Sequence, residues 1–265
     1  LLRRVFFDLV GMPPTPSEAT LFLDDSSPKA YEKLIDRLLS DERFGERMAV
    51  HWLDLVRFAD TIGYHSDNFM EVSAYREYVI DSFNSNKPYD RFVYELVNPT
   101  EHSQGFTKGI VWRGVVNASQ KPHMQAAQHI SQVFMGVNLK CASCHDSFIN
   151  DWSLDDAYAL ASVYADKPLE MIECDKPTGK ISNVRFIHPE LGRIDPKAEK
   201  SVRIKQLADA VISPKNGRLS RTIVNRIWAR FLGRGLVEPV DEMENLSWNT
   251  DLLDLLASDL VENNY

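Results

Sequence analysis

Apolar residues recur at three- and four-residue steps along most of this chain, and that pattern restricts it to a fold of packed amphipathic helices. Thr15-Pro16-Ser17-Glu18 has the form of a capping box with proline at the first helical position. Ser27-Pro28 repeats the start signal ahead of an apolar face made by Tyr31, Leu34, Ile35, Leu38 and Leu39. Further helical segments are expected at about 44–59, 73–83, 89–97, 125–135, 153–164, 202–212, 219–232 and 250–261, divided by clusters of Pro, Gly, Asn and Asp. Ser153 and Asp156 resemble a second capping box, which makes the Asp155-Asp156 pair helix N-terminal charge. Between Asp166 and Lys200 the helical pattern fails, and only Ile181 to Ile187 reads as a short strand. The expected fold is therefore mainly α: a helical domain over residues 1–170, an irregular linker over 171–200, and the start of a second helical domain over 201–265. Neither an internal repeat nor a low-complexity tract is present, which argues against a solenoid.

With 265 residues, 44% of them hydrophobic, the chain has material for a sizeable core and is not a disordered tail. Its 30 basic and 38 acidic residues leave a net charge of −8, and neither sign forms a run, so nucleic acid is not an expected partner. No stretch approaches the roughly 18 to 20 apolar residues of a membrane span. The opening Leu1-Leu2-Arg3-Arg4, with no initiator Met or signal peptide, suggests a piece of a longer protein. Three cysteines are too few for a disulfide framework. Cys174 stands apart from the other two, and is expected to be buried and reduced or paired with something beyond the chain.

The other two carry the chemistry. Cys141-Ala142-Ser143-Cys144-His145 matches the C-x-x-C-H pattern, in which two thiols add to the vinyl groups of a porphyrin and the adjacent imidazole reaches its iron. One helical turn separates the sulfurs, so both meet one macrocycle edge, and the tethered histidine binds iron with little search entropy. This chain's own composition makes a chance match roughly a one-in-a-thousand event. Three other readings stay open: a thioredoxin-like pair, although no βαβ setting surrounds it; a zinc site, although no second close pair of ligands exists; and a reduced core pair left after cofactor loss. The leading expectation is a helical haem-binding domain with one covalent haem c, in which Cys141 and Cys144 attach the group and His145 is the proximal iron ligand.

The sixth iron position decides between electron transfer and chemistry at an open site. Candidates are His51, His65, His123, His129, Met124 and Met135. Met124, Gln128 or His129, and Gln132 recur at helical spacing just before the motif, so a continuous helix there would turn His129 toward the cavity that His145 faces. A lone histidine is, however, more often a surface or hydrogen-bonded core residue. His51, Asp54, Arg57 and Asp60 repeat at three-residue steps beside the apolar Trp52, Leu55, Val56 and Ala59. They form either a solvated, ion-paired face or one wall of a hydrogen-bonding pocket, with the polar loop 61–68, which holds His65, next to it. Asn225, Arg226 and Trp228 are read as structural ties between helices.

Three blocks carry a family resemblance. The first is Arg3-Arg4-Val5-Phe6-Phe7-Asp8-Leu9-Val10-Gly11-Met12-Pro13-Pro14-Thr15-Pro16, continued by Arg43-Phe44-Gly45-Glu46-Arg47 and the segment from His51 to Asp60. The second is Phe134-Met135-Gly136-Val137 leading into Cys141 to Asp146, and the third is Ser213-Pro214-Lys215-Asn216 with Ile223 to Trp228 and Phe231 to Gly235. In this order they resemble the planctomycete cytochrome-like proteins, secreted chains that pair two domains of unknown function. Members usually carry a second histidine just after the attachment motif, where this chain has Asp146-Ser147-Phe148. The resemblance implies a redox protein of the periplasm or cell surface that exchanges electrons with a partner protein or oxidises a substrate, a carbohydrate-derived one among the candidates, as a haem-dependent oxidoreductase. The alternative is a haem-free structural or binding module of a larger assembly. Haem c is attached outside the cytoplasm, which gives the same periplasmic or extracellular address.

Overall fold

Thr15 accepts a hydrogen bond from the Glu18 amide at 3.2 Å, and the Glu18 carboxylate accepts one from the Thr15 amide at 2.8 Å, so the expected capping box forms and opens a helix at Pro16. The structure, a computed structural model, describes residues 1–56, 58, 59, 72–104, 106 and 117–265, together with the backbone of 61, 62, 68 and 69. The chain is mainly helical, with eleven α-helices and two small antiparallel hairpins among the described residues. It divides into two compact units, Leu1–Lys87 and Pro88–Tyr265.

The first unit contains α1 (Leu2–Leu9), α2 (Pro16–Asp24), α3 (Ala30–Leu39), α4 (Glu42–Leu55), a hairpin of β1 (Thr61–Ile62) and β2 (Asn68–Phe69), and α5 (Ser73–Asn84). Val5, Phe6, Val10, Leu34 and Leu38 form one core cluster, with Leu2, Leu9, Phe22 and Ile35 packed against it. Complete burial of a side chain such as Phe6 contributes about 2 to 3 kcal/mol. Between α4 and α5 the Trp52 indole donates to the Tyr75 hydroxyl at 2.8 Å, and the Gly45 amide donates to the Asn84 side chain at 2.7 Å. A Cβ at position 45 would meet that side chain at 2.6 Å, which explains a glycine inside a helix. Two boundaries differ from expectation. α3 starts at Ala30, because the Ser27 hydroxyl is spent on the Lys29 amide, one step ahead of the helix. α4 stops at Leu55 instead of continuing to Ala59, because the Phe58 amide turns back to the Leu53 carbonyl at 2.8 Å in a wide closing turn.

The second unit contains α6 (Tyr89–Val97), a 3₁₀ turn (Ala118–Gln120), α7 (Pro122–Met135), α8 (Leu154–Ala161), a hairpin of β3 (Glu170–Glu173) and β4 (Lys176–Ile181), α9 (Lys200–Val211), α10 (Gly217–Leu232) and α11 (Thr250–Glu262). α7 runs through the middle of this unit with Met124, Ala127, Ile130, Phe134 and Met135 fully buried. The second capping box forms at α8, where the Ser153 hydroxyl accepts from the Asp156 amide, and Arg185 clamps Asp155 and Asp156 at 2.6 and 2.8 Å. α10 and α11 close on a cluster of Val224, Leu236, Val237 and Leu253.

The stretch expected to be irregular, with a strand at Ile181 to Ile187, instead carries a hairpin that ends at Ile181. Its two-residue turn, Cys174-Asp175, has φ of +45° and +67°. Two successive left-handed residues twist the connection to match the strands. Asn-Gly is the usual sequence sign of such a turn, and this one lacks it.

Candidate functional site

α7 ends at Gly136, whose φ of +60° reverses the chain, and the buried Val137 and Leu139 then lead into a single tight turn. In that turn the amides of Cys144 and His145 both donate to the Cys141 carbonyl, at 3.0 and 3.2 Å, and the Ser143 amide donates to Leu139 at 2.9 Å. Ala142 and Ser143 are completely buried, whereas Cys141, Cys144 and His145 are half-buried. The turn therefore roots its two middle residues in the core and leaves the three chemistry-bearing side chains at the surface. Ser143 anchors it, with its hydroxyl donating to the Lys140 carbonyl at 2.7 Å and accepting from Gln128 on α7 at 2.8 Å. On the other side, the Asp146 carboxylate accepts from the Leu154 amide at 2.8 Å, fastening the motif to the start of α8.

The His145 Nδ1 lies 2.6 Å from the Asp146 carbonyl oxygen. A carbonyl only accepts, so Nδ1 carries the proton and Nε2 is the nitrogen left for a metal. A histidine ligand with its second nitrogen tied to a backbone carbonyl is the usual arrangement at a metal centre. Phe148 lies against the imidazole with ring centroids 4.6 Å apart. Phe148 and Ile149 are 87% and 66% exposed, so the motif is bordered by bare apolar surface.

Cys174 is placed where sequence reasoning had no means of putting it. It is exposed, not buried, because it forms the tip of the β3–β4 hairpin. Its amide donates to the Cys144 carbonyl at 2.9 Å, which brings the two cysteines side by side. Burial and the neighbouring Cys174 push the Cys144 thiol up from its ordinary range. No spacing rule connects residues thirty positions apart, and the turn that brings them together carried no sequence signature.

The candidates for the sixth iron position stand on several elements. α7 is continuous as expected, and Gln128 is the side chain that reaches the motif. His129, one residue further, is half-buried; Met124 and Met135 are fully buried in the core. His123 is half-buried, and burial, then the charge of Lys121, hold its pKa below the ordinary value. His51 is half-buried on α4 in the first unit, with Asp54 exposed. His65, Arg57 and Asp60 lie outside the described residues. No group of three or more His, Cys, Asp or Glu side chains among the described residues converges on a metal position. A cavity of about 260 Å³ lies apart from the motif, lined by Pro214, Arg221, Asp254 and Glu262.

The residues of the motif suit a c-type haem: two accessible thiols one turn apart, an imidazole with Nε2 available, and apolar side chains beside them. Cys141 and Cys144 would hold the macrocycle and His145 its iron.

Comparison with known proteins gives two family matches. Residues 1–168 match PSCyt2, a protein of unknown function (DUF1549), and residues 203–265 match PSD1, a protein of unknown function (DUF1553). No curated protein and no solved structure matches the chain. The first match covers more than half of the sequence and is followed by the second in the order that marks the planctomycete cytochrome-like pairing, and the chain belongs to the PSCyt2 family.

Proposed function

We propose that this chain is a haem c redox protein of the periplasm or cell surface, with Cys141 and Cys144 as the thioether-forming residues and His145 as the proximal iron ligand. One observation carries the reading: the half-buried Cys141, Cys144 and His145 stand on a single turn whose Ala142 and Ser143 are completely buried, with His145 Nδ1 committed to the Asp146 carbonyl. When bound, the haem iron supplies a one-electron couple. The chain's own contribution is to fix the imidazole tautomer, hold the turn rigid through Ser143 and Asp146, and present the site near the surface, where a redox partner reaches it. Oxidation of a substrate by the same centre is the enzymatic version of this reading.

A haem-free structural role is favoured by a different contact, the Phe148 ring packed on His145. An absorption spectrum of chain produced in a host with haem-attachment machinery, followed by a pyridine haemochrome assay, separates the two. A covalent c-type spectrum that is lost in Cys141→Ala/Cys144→Ala supports the first. A featureless spectrum from correctly exported protein removes it and leaves the structural role.

A further inference from the structure

We propose that Cys144 and Cys174 are a disulfide-forming pair, so that Cys144 has two mutually exclusive covalent partners: Cys174 in the oxidised, haem-free chain, and a porphyrin vinyl carbon in the haem-bearing one. The second half of this statement rests on the haem reading above; the first does not.

The backbone supports the pair independently of any cofactor. The 2.9 Å hydrogen bond from the Cys174 amide to the Cys144 carbonyl holds the two Cα atoms within about 7 Å, inside the span that a disulfide bridges. Nothing about the hairpin leaves this approach to chance: Ile172, two residues before Cys174, is gripped by Tyr158 of α8, whose hydroxyl accepts from its amide at 3.2 Å and donates to its carbonyl at 3.5 Å. The pairings Ile172 with Pro177 and Glu173 with Lys176 then fix Cys174 at the tip. A cysteine at φ +45° occupies a position where glycine or asparagine is the ordinary choice.

Accessibility sets the order of events. Cys174 is exposed and Cys144 half-buried, so a small disulfide oxidant such as glutathione disulfide meets Cys174 first. The Cys174 thiolate attacks one sulfur of the oxidant and a glutathione thiolate leaves. The Cys144 thiolate then attacks the Cys174 sulfur of that mixed disulfide and releases the second glutathione. Two protein thiols lose two protons and two electrons, and the oxidant is reduced to two thiols. Once this bond forms, Cys144 has no thiol to add to a vinyl group, so attachment requires its reduction.

The experiment is disulfide mapping of the full chain produced without haem-attachment machinery. The protein is equilibrated with glutathione disulfide, alkylated, cleaved at aspartate without reduction, and analysed by tandem mass spectrometry. Cleavage before Asp146 and Asp175 puts Cys174 on a different peptide from Cys141 and Cys144. The expected result is a dominant Cys144–Cys174 linked pair with Cys141 alkylated, absent in Cys174→Ser. A dominant Cys141–Cys144 bond, or three alkylated thiols, overturns the proposal. The same mapping on chain from a machinery-equipped host keeps the two readings apart. A haem peptide with alkylated Cys174 there supports the exclusive use of Cys144. A persistent linked pair with no haem keeps the disulfide and removes the haem reading.

Discussion

The Gln128 side-chain amide donates to the Ser143 hydroxyl at 2.8 Å and, with its second proton, to the Ser119 carbonyl at 3.0 Å. One side chain thus fastens the cysteine turn and the preceding 3₁₀ turn to α7. Gln128→Leu keeps the side-chain bulk and removes both donors from a half-buried setting, at a cost of about 1 to 2 kcal/mol. Urea unfolding is expected to shift accordingly, and alkylation of Cys141 and Cys144 in the folded chain to become faster. Unchanged alkylation rates would show that the turn stands without this anchor.

Asn225 uses its whole amide on one loop. Its oxygen accepts from the Val237 amide at 2.9 Å, and its nitrogen donates to the carbonyls of Val237 and Val240, each at 3.0 Å. The residue is fully buried, so Asn225→Ala strands backbone groups with no water to replace it. A loss of about 3 kcal/mol is expected in equilibrium unfolding. Asn225→Asp, which keeps the acceptor but not the donors, should recover only part of it.

Gly136 combines a left-handed backbone with a ceiling. A Cβ there would stand 2.3 Å from the Met243 side chain, and the Gly136 carbonyl accepts from the Met243 amide at 2.9 Å. Gly136→Ala therefore meets both backbone strain and a collision, together about 2 to 4 kcal/mol. Pairing it with Met243→Gly removes both side-chain atoms in the way, since the Met243 Cβ alone would still stand 2.8 Å from the new one, and leaves the strain, so the double variant is expected to be less destabilised than the two single losses added together. Simple additivity in a double-mutant cycle would refute the collision.

His188 gives the pH prediction. Burial, then the charge of Arg218, lowers its pKa from the ordinary 6.5, and Trp152 and Phe186 meet its ring edge-on. The unfolded chain therefore takes up a proton near pH 6.5 that the folded chain resists. Stability from this group is complete above that pH and declines as the pH falls from 6.5 through the lowered folded value. His188→Phe keeps an aromatic ring and removes the titration, so its unfolding free energy should vary less between pH 7.5 and 5 than that of the parent chain. Equal slopes in the two proteins would rule out this histidine as the source.

Most helices were legible because their apolar spacing and their caps agree, as at Thr15-Pro16 and Ser153. α1 was not anticipated although Leu2, Val5, Phe6 and Leu9 have helical spacing, because it begins without a side-chain cap or a proline. The β3–β4 hairpin was illegible for a local reason: its turn uses Cys174 and Asp175 where glycine or asparagine would have announced it. The cysteine turn was visible as C-x-x-C-H, but the burial of Ala142 and Ser143 that orients it depends on α7, and the approach of Cys174 depends on Tyr158. Such relations arise from packing between segments far apart in sequence, where periodicity carries no information.

Two carbonyls in the last turn of α7, those of Gln132 and Val133, accept from the guanidinium of Arg226, which is itself paired with Asp241 at 2.7 Å. The donor and these acceptors are 93 and 94 positions apart, so during synthesis the cysteine turn emerges long before the end of the helix that leads into it is completed. Until Arg226 arrives, the segment holding Cys141, Cys144 and His145 hangs from an unfinished helix.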